Sequence, residues 1–350
     1  MNRRWLHGLK LAAAAAAALF AGSAAAQGTA AKLPEGVAAL MPAAKAEGFT
    51  ATVYGQTLNP QQVGEFNKRI SAFYGVPIKL TMISGLHPQK ATEVVQSMKM
   101  GAESGIDIFW TGSAIAGTLE RGGVLAEYDW IKAFGLDESM RWGKNGLRAH
   151  DGTLASVVYN TDLVKPSEAP KTYHDLVNNP KWKGRIAVPR APNTFIYMSY
   201  GIGDEDAQLI LKGLMEKQDL KILPTYPDVR NRVGSGEFAV GFGVDAILLK
   251  RQGAPIETAT LDPMVLTPWG FWVMRDAKKP ATGKLWAYWA TTLDGQKALS
   301  EIQGISLVTT PGTDLHRLAQ GKKVVLVDHQ FMVDILPQKL PTYGGLMGIK

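Results

Sequence analysis

Between Phe49 and Gly55 the chain reads "FTATVYG". Apolar and polar positions alternate there, which predicts a strand. The next stretch, "PQQVGEFNKRISAFYG", spaces Val63, Phe66, Ile70 and Phe73 along one helical face. "PIKLTMIS" then predicts a second strand, "HPQKATEVVQSMKMGAESG" a second helix, and "IDIFW" a third strand. Strand, helix, strand, helix, strand is the order of a mostly parallel sheet with right-handed crossovers. Upstream, "EGVAALMPAAKAEG" predicts a short helix in which Pro42 is a break or a first-turn residue.

The alternation returns in the second half. "TLASVVYN", "RIAVP", "FAVGFG", "IETATL" and "GFWVMR" predict strands, and "TYHDLVNNPKW", "DEDAQLILKGLMEKQ", "YPDVRNRVGSGE" and "VDAILLKRQG" predict helices. "ATGKLWAYWATTLDGQKALSEI" predicts one long helix. No short repeat is present. Two α/β units of similar size, with the chain returning to the first, form the simplest assembly. In open α/β sheets ligands bind beyond the carboxyl ends of the strands, where helices begin and their free amides favour anions.

Composition adds a compartment. "MNRRWLHGLK" carries Arg3, Arg4 and Lys10 without an acid, an apolar run follows, and Ala24-Ala25-Ala26 offers a cleavage site. This is the pattern of a secretory signal peptide over 1–26, too short in its apolar part to span a bilayer. Export by the general secretory route is expected, although Arg3-Arg4 leaves the twin-arginine route open. Cysteine is absent, so disulfides, thiolate metal sites and a lipidated cysteine are excluded. A soluble chain in a Gram-negative periplasm is expected. Removing three of the 38 bases with the leader leaves 35 against 31 acids. That scattered surplus suits an anionic ligand and is not a nucleic-acid footprint. The remaining length of about 320 residues predicts two lobes.

Several stretches together resemble one family. "MPAAKAEGFTATVYG", "SGIDIFWTGSA", "VVYNTDLVKPSEAPKTYHDLVNNPKWKGRIAVP", "GEFAVGFG", "KRQGAPIE" and "TTLDGQKAL" occur in the order found in solute-binding proteins of the ferric-iron type. The resemblance covers nearly the whole chain after the leader. It implies a two-lobed type II periplasmic binding protein, or Venus flytrap, with mostly parallel sheets flanked by helices. It also implies a monomer that delivers a small solute to the permease and ATPase of an ABC importer, with no catalysis and no resident cofactor. The expected organisation is leader and first helix over 27–48, first lobe over 49–153, second lobe over 154–262, and return with C-terminal helices over 263–350. Hinge strands are expected near Thr153 to Tyr159 and Thr258 to Thr267. The family takes ferric ion, phosphorylated sugars, phosphonates and other solutes, so ferric ion and a small organic anion both stand as ligands.

Candidate contacts lie at the strand ends. Tyr54 and Gln56 close the first strand, and His87 enters a helix as metal ligand, anion donor or solvated residue. Trp110, Thr111 and Ser113 sit at the corner "FWTGSA", as an indole wall with hydroxyl donors or as packing and a helix cap. Asn193 and Thr194 start a helix, and Tyr197 and Tyr200 share a face three residues apart. With ferric ion, the resemblance implies phenolate ligands from Tyr197 and Tyr200, with His87 as a nitrogen donor. The adjacent tyrosine pair usual in such relatives is missing here. Asp245 reads as a helix cap or a contact for a cationic group, Trp269 and Trp272 as strand core with one of them as an alternative cleft lining, and Arg190 as a loop arginine or a partner for a carboxylate or phosphate. No GxSxG, HExxH, Walker A or complete GxGxxG pattern occurs, and the histidines are widely spaced. An enzyme on the same fold remains the reading from another class.

Overall fold

The computed structural model describes residues 33–349. The signal peptide expected over 1–26 and the leader up to residue 32 lie outside the described residues. Two sheets carry the molecule. Their strands, in chain order, are β1 (Thr50–Tyr54), β2 (Lys79–Ile83), β3 (Ile108–Gly112), β4 (Arg141–Trp142), β5 (Gly146–Gly152), β6 (Val157–Asn160), β7 (Ile186–Pro189), β8 (Lys221–Leu223), β9 (Val240–Phe242), β10 (Ile256–Ala259), β11 (Met264–Val273) and β12 (Val324–Leu326). The first sheet runs β2-β1-β3-β11-β5-β4, with β12 beside β11, and the second runs β10-β6-β9-β7-β8.

Parallel pairs join β1 with β2 and β3, and β7 with β8 and β9, as in strand–helix units, and also β11 with β12. Antiparallel pairing enters where the chain crosses over and returns. β11 runs against β3 and β5, and β6 runs against β9 and β10. Each sheet is therefore mixed. The chain passes from β5 to β6 through 153–156, and back from β10 to β11 through 260–263.

The helix after β1, Pro60–Tyr74, starts at a capping box of Asn59 and Gln62, stops at left-handed Gly75, and buries Phe66 and Ile70. The long helix expected after residue 280 is instead two, Pro280–Thr291 and Leu293–Gln303. Thr292 leaves helical geometry (ψ 163°) and its hydroxyl accepts from the Gly295 amide, so a cap decides against continuity. "TYHDLVNNPKW" gives only Asp175–Asn178 and a 3₁₀ turn, Pro180–Trp182, because Asn179 turns extended before the proline.

β5 was not legible in the pattern. Its sequence "GLRAHDG" looks polar, yet every residue is buried. Arg148 and Asp151 pair inside through bonds of 2.9 and 2.6 Å, and Asp151 also accepts from the Val308 amide at 2.8 Å. A buried charge persists only when paired and hydrogen-bonded in this way.

The sheets are tied at their junction. Thr153 donates to Asp245 across the first crossover at 2.8 Å. Arg251, from the helix after β9, donates to the carbonyls of Ser300 and Glu301 and pairs with Asp314. A cavity of about 650 Å³ opens beside this clasp, between β10, residues 166–171 and the helix Asp314–Ala319, so it lies at the edge of the second sheet.

Candidate binding cleft

The carboxyl ends of β1, β2 and β3 in the first lobe and of β7, β8 and β9 in the second lead into loops and helix starts. Each expected contact residue is located by those ends.

On the first side, Tyr54 ends β1 with its ring 4.7 Å from Phe109 and 5.2 Å from His87. Burial raises its hydroxyl pKa, with Glu93 adding to the effect. Gly55 follows, where a Cβ would sit 3.0 Å from the Trp110 side chain, a tight approach that favours glycine. Gln56 is half-buried at the mouth. His87 opens the helix His87–Lys99. Its Nε2 lies 3.2 Å from the Gly55 carbonyl and its Nδ1 lies 2.9 Å from Thr111 Oγ1. A carbonyl only accepts, so Nε2 carries the proton and Nδ1 accepts from Thr111. Burial lowers the pKa of the ring and favours this neutral form. His87 as a metal ligand is thereby corrected: both nitrogens are engaged within the protein, and the ring braces the β1 and β3 ends.

Trp110 is a second correction. It is fully buried, with Nε1 donating to His150 Nδ1 at 3.2 Å and its ring packed on Phe271 and Trp286. Strand alternation gives the reason. Phe109 and Thr111 face His87, so Trp110 faces the opposite side, into the core beneath the helix Pro280–Thr291. His150 accepts the indole proton as a neutral ring, its pKa pushed down to about 3 by burial and by Arg148. Ser113 is likewise spent internally, its hydroxyl accepting from Trp142 Nε1 at 2.7 Å. Gly112, not Ser113, is the N-cap of Ser113–Arg121. Of Trp110, Thr111 and Ser113 only Thr111 stands on the His87 side, and its hydroxyl belongs to that histidine.

On the second side, Asn193 and Thr194 start the helix Asn193–Ile202 as expected. Thr194 Oγ1 lies 3.2 Å from the Tyr226 hydroxyl, and the Asn193 amide lies beside the hydroxyls of Tyr197 and Tyr226. Burial raises the pKa of both phenols. Tyr200 diverges from this group. Its hydroxyl donates to Asp328 at 2.7 Å and its ring packs 4.8 Å from Phe331. The pairing of Tyr197 with Tyr200 as metal ligands is corrected accordingly: the C-terminal segment takes one and the helix start keeps the other. Among the described residues no group of three or more His, Asp and Glu stands ready to hold a metal ion.

Residues that the pattern undervalued complete the cleft. Tyr226 follows β8 and is half-buried. Asp245 caps Ile247 as expected, and also clasps Thr153. Trp269, read from sequence as strand core, is half-buried. Its indole lies 5.5 Å from both His87 and His150, over Gly112. A bulge in the β11–β5 register between Trp269 and Gly270 accompanies this placement. Arg190 is exposed, as a loop arginine.

Helix starts differ around the cleft. Those after β2, β3 and β7 begin at Leu86, Gly112 and Pro192 with no side-chain cap, whereas those after β1 and β8 are capped by Asn59 and Thr225. Each lobe thus offers at least one helix start without a side-chain cap, a favourable position for an anion.

No protein-family model and no curated protein matches the chain. Solved structures do. Iron-bound HitA from Pseudomonas aeruginosa has a TM-score of 0.65 at 17% identity, over 85% of this chain and 99% of its own. The substrate binding protein of an ABC transporter from Agrobacterium tumefaciens gives 0.69 at 16%, over 85% and 95%. The periplasmic binding protein AfuA from Actinobacillus pleuropneumoniae, with fructose-6-phosphate bound, gives 0.62 at 18%, over 86% and 99%. At these identities the likeness establishes architecture: the chain has the two-lobed α/β fold of the type II periplasmic binding proteins.

Proposed function

We propose that this chain is a periplasmic receptor that captures a small solute between its lobes and hands it to an ABC importer. The observation that supports the reading is a pair of sheets joined by two crossovers, each with strand ends that lead into a helix start lacking a side-chain cap. Export by the amino-terminal leader and a monomeric state belong to the same reading. The receptor binds its solute without turning it over.

A small organic anion suits the donor set best. The first side offers amides and neutral rings rather than carboxylates, and the second offers Asn193, Thr194 and a phenol. A ferric cargo is favoured by one feature, the two phenols Tyr197 and Tyr226 beside Asn193, and by the iron named for three of the structural neighbours. Hard phenolate oxygens suit ferric ion, but both phenols must first lose protons that burial holds in place.

The test is thermal melting of the leader-free protein against citrate, benzoate, phosphate, fructose 6-phosphate and ferric citrate. A solute that binds the folded state raises Tm by mass action, by about 2.7 kcal/mol of stability at a hundredfold excess over Kd. A Tm unmoved by every solute counts against the receptor. Visible absorbance after ferric loading, lost in Tyr197→Phe or Tyr226→Phe, selects iron; a colourless protein that melts higher with an organic acid selects the anion.

A further inference from the structure

One buried hydroxyl in the cleft has no partner. Thr267, on β11, is 1% exposed. Its Oγ1 finds no hydrogen-bond partner among the described residues. Threonine hydroxyls in such places ordinarily donate or accept, and an orphan costs stability that an isosteric valine would not. Thr267 pairs in register with Gly152, the last residue of β5 before the first crossover.

A second donor converges on the same place. A Cβ built on Gly152 would lie 2.9 Å from Thr267 Oγ1 and 3.1 Å from Trp269 Nε1. The indole N–H of Trp269 also has no partner among the described residues, and an indole nitrogen only donates. Trp269 is half-buried, while every other tryptophan among the described residues is buried. Two unspent donors therefore lie close together beside Gly152 at the hinge, next to the one tryptophan among the described residues with an edge open to solvent, and a ligand atom reaches them only when that indole moves aside. The rings that hold that indole, His87 and His150, are neutral, so the place is polar without being cationic.

Building on the receptor reading, we infer that Thr267 Oγ1 and Trp269 Nε1 form a subsite that receives a carboxylate oxygen of a small organic acid. Trp269 offers its apolar face to the body of the acid and covers Thr267 when the subsite is empty. The orphan hydroxyl is then a group kept for binding at the expense of stability.

The test uses citrate, benzoate and inorganic phosphate with the leader-free protein. The indole N–H resonance that disappears in Trp269→Phe identifies Trp269 in a proton–nitrogen correlation spectrum. Citrate or benzoate is expected to shift that resonance saturably, and Thr267→Val to weaken the same titration at least tenfold. In the absence of any solute, Thr267→Val is expected to melt at or above the wild-type temperature. A Thr267→Val protein that melts lower would show the hydroxyl to be structural and overturn the subsite. A probe that raises Tm while leaving the Trp269 resonance unmoved overturns the subsite but spares the receptor. No saturable shift with either carboxylate, or a shift with phosphate alone, overturns the carboxylate assignment. Gly152→Ala is not a suitable probe, since the added Cβ would also meet the Thr267 carbonyl at 2.9 Å.

Discussion

The two walls of the cleft are built differently. On the first, nearly every polar group is spent on another part of the protein: His87 on Gly55 and Thr111, His150 on Trp110, Ser113 on Trp142, and Arg148 on Asp151. On the second, Asn193, Thr194 and Tyr226 meet mainly one another, at a helix start without a side-chain cap. The first wall is a braced surface whose shape is fixed before a solute arrives. The second is a cluster of adaptable donors and acceptors. On the proposed receptor reading, the first wall would fix the position of a solute and the second would adapt to it.

Breaking the brace should therefore cost far more than trimming the second wall. The largest effect is expected from Asp151→Ala, which leaves Arg148 buried and unpaired and orphans the Val308 amide. Loss of one partner of a buried pair costs about 3–5 kcal/mol, to be read from urea unfolding midpoints. If this variant unfolds like wild type, the first wall is not held as described.

Acid should loosen the same wall. The unfolded His150 ring takes up a proton below about pH 6.5, while the folded ring resists until about pH 3. The unfolded state thus binds more protons within that window. Stability is complete above it and falls as pH is lowered through it, by up to about 1.4 kcal/mol per pH unit from this group. His150→Gln, which keeps an acceptor for Trp110, should flatten the decline of Tm between pH 6.5 and pH 4. An identical acid limb in the variant would assign the effect to other groups.

A smaller loss is expected from His87→Ala, about 1–3 kcal/mol, because the buried Thr111 hydroxyl is left without its acceptor. The double variant His87→Ala/Thr111→Val should recover part of it. Additive losses in that cycle would deny the coupling. The smallest effect is expected on the second wall. Tyr226→Phe removes a hydroxyl that contacts Thr194 and Asn193 on a half-buried ring and should change stability by about 1 kcal/mol, while altering solute affinity more than His87→Ala does. The reverse ranking in affinity would exchange the roles of the two walls.

Sequence by itself determined the strand–helix alternation of β1 to β3 and most of that in the second half, because amphipathic periodicity is a local signal set by side-chain spacing, but it missed the short strands β4, β8 and β12. It placed Asn193 and Thr194 at a helix start, which follows from the strand–helix rule. It did not determine β5, whose Arg148, His150 and Asp151 look like loop residues until their partners are known. It put Trp110 on the strand face of Ile106 and Ile108, opposite Asp107, Phe109 and Thr111, but did not determine what would satisfy its indole N–H. The partners that decided these points are distant in the chain: His150 lies 40 residues from Trp110, and Val308 lies 157 from Asp151. A buried polar group is tolerated only when its partner is in place, and only the tertiary structure brings that partner there.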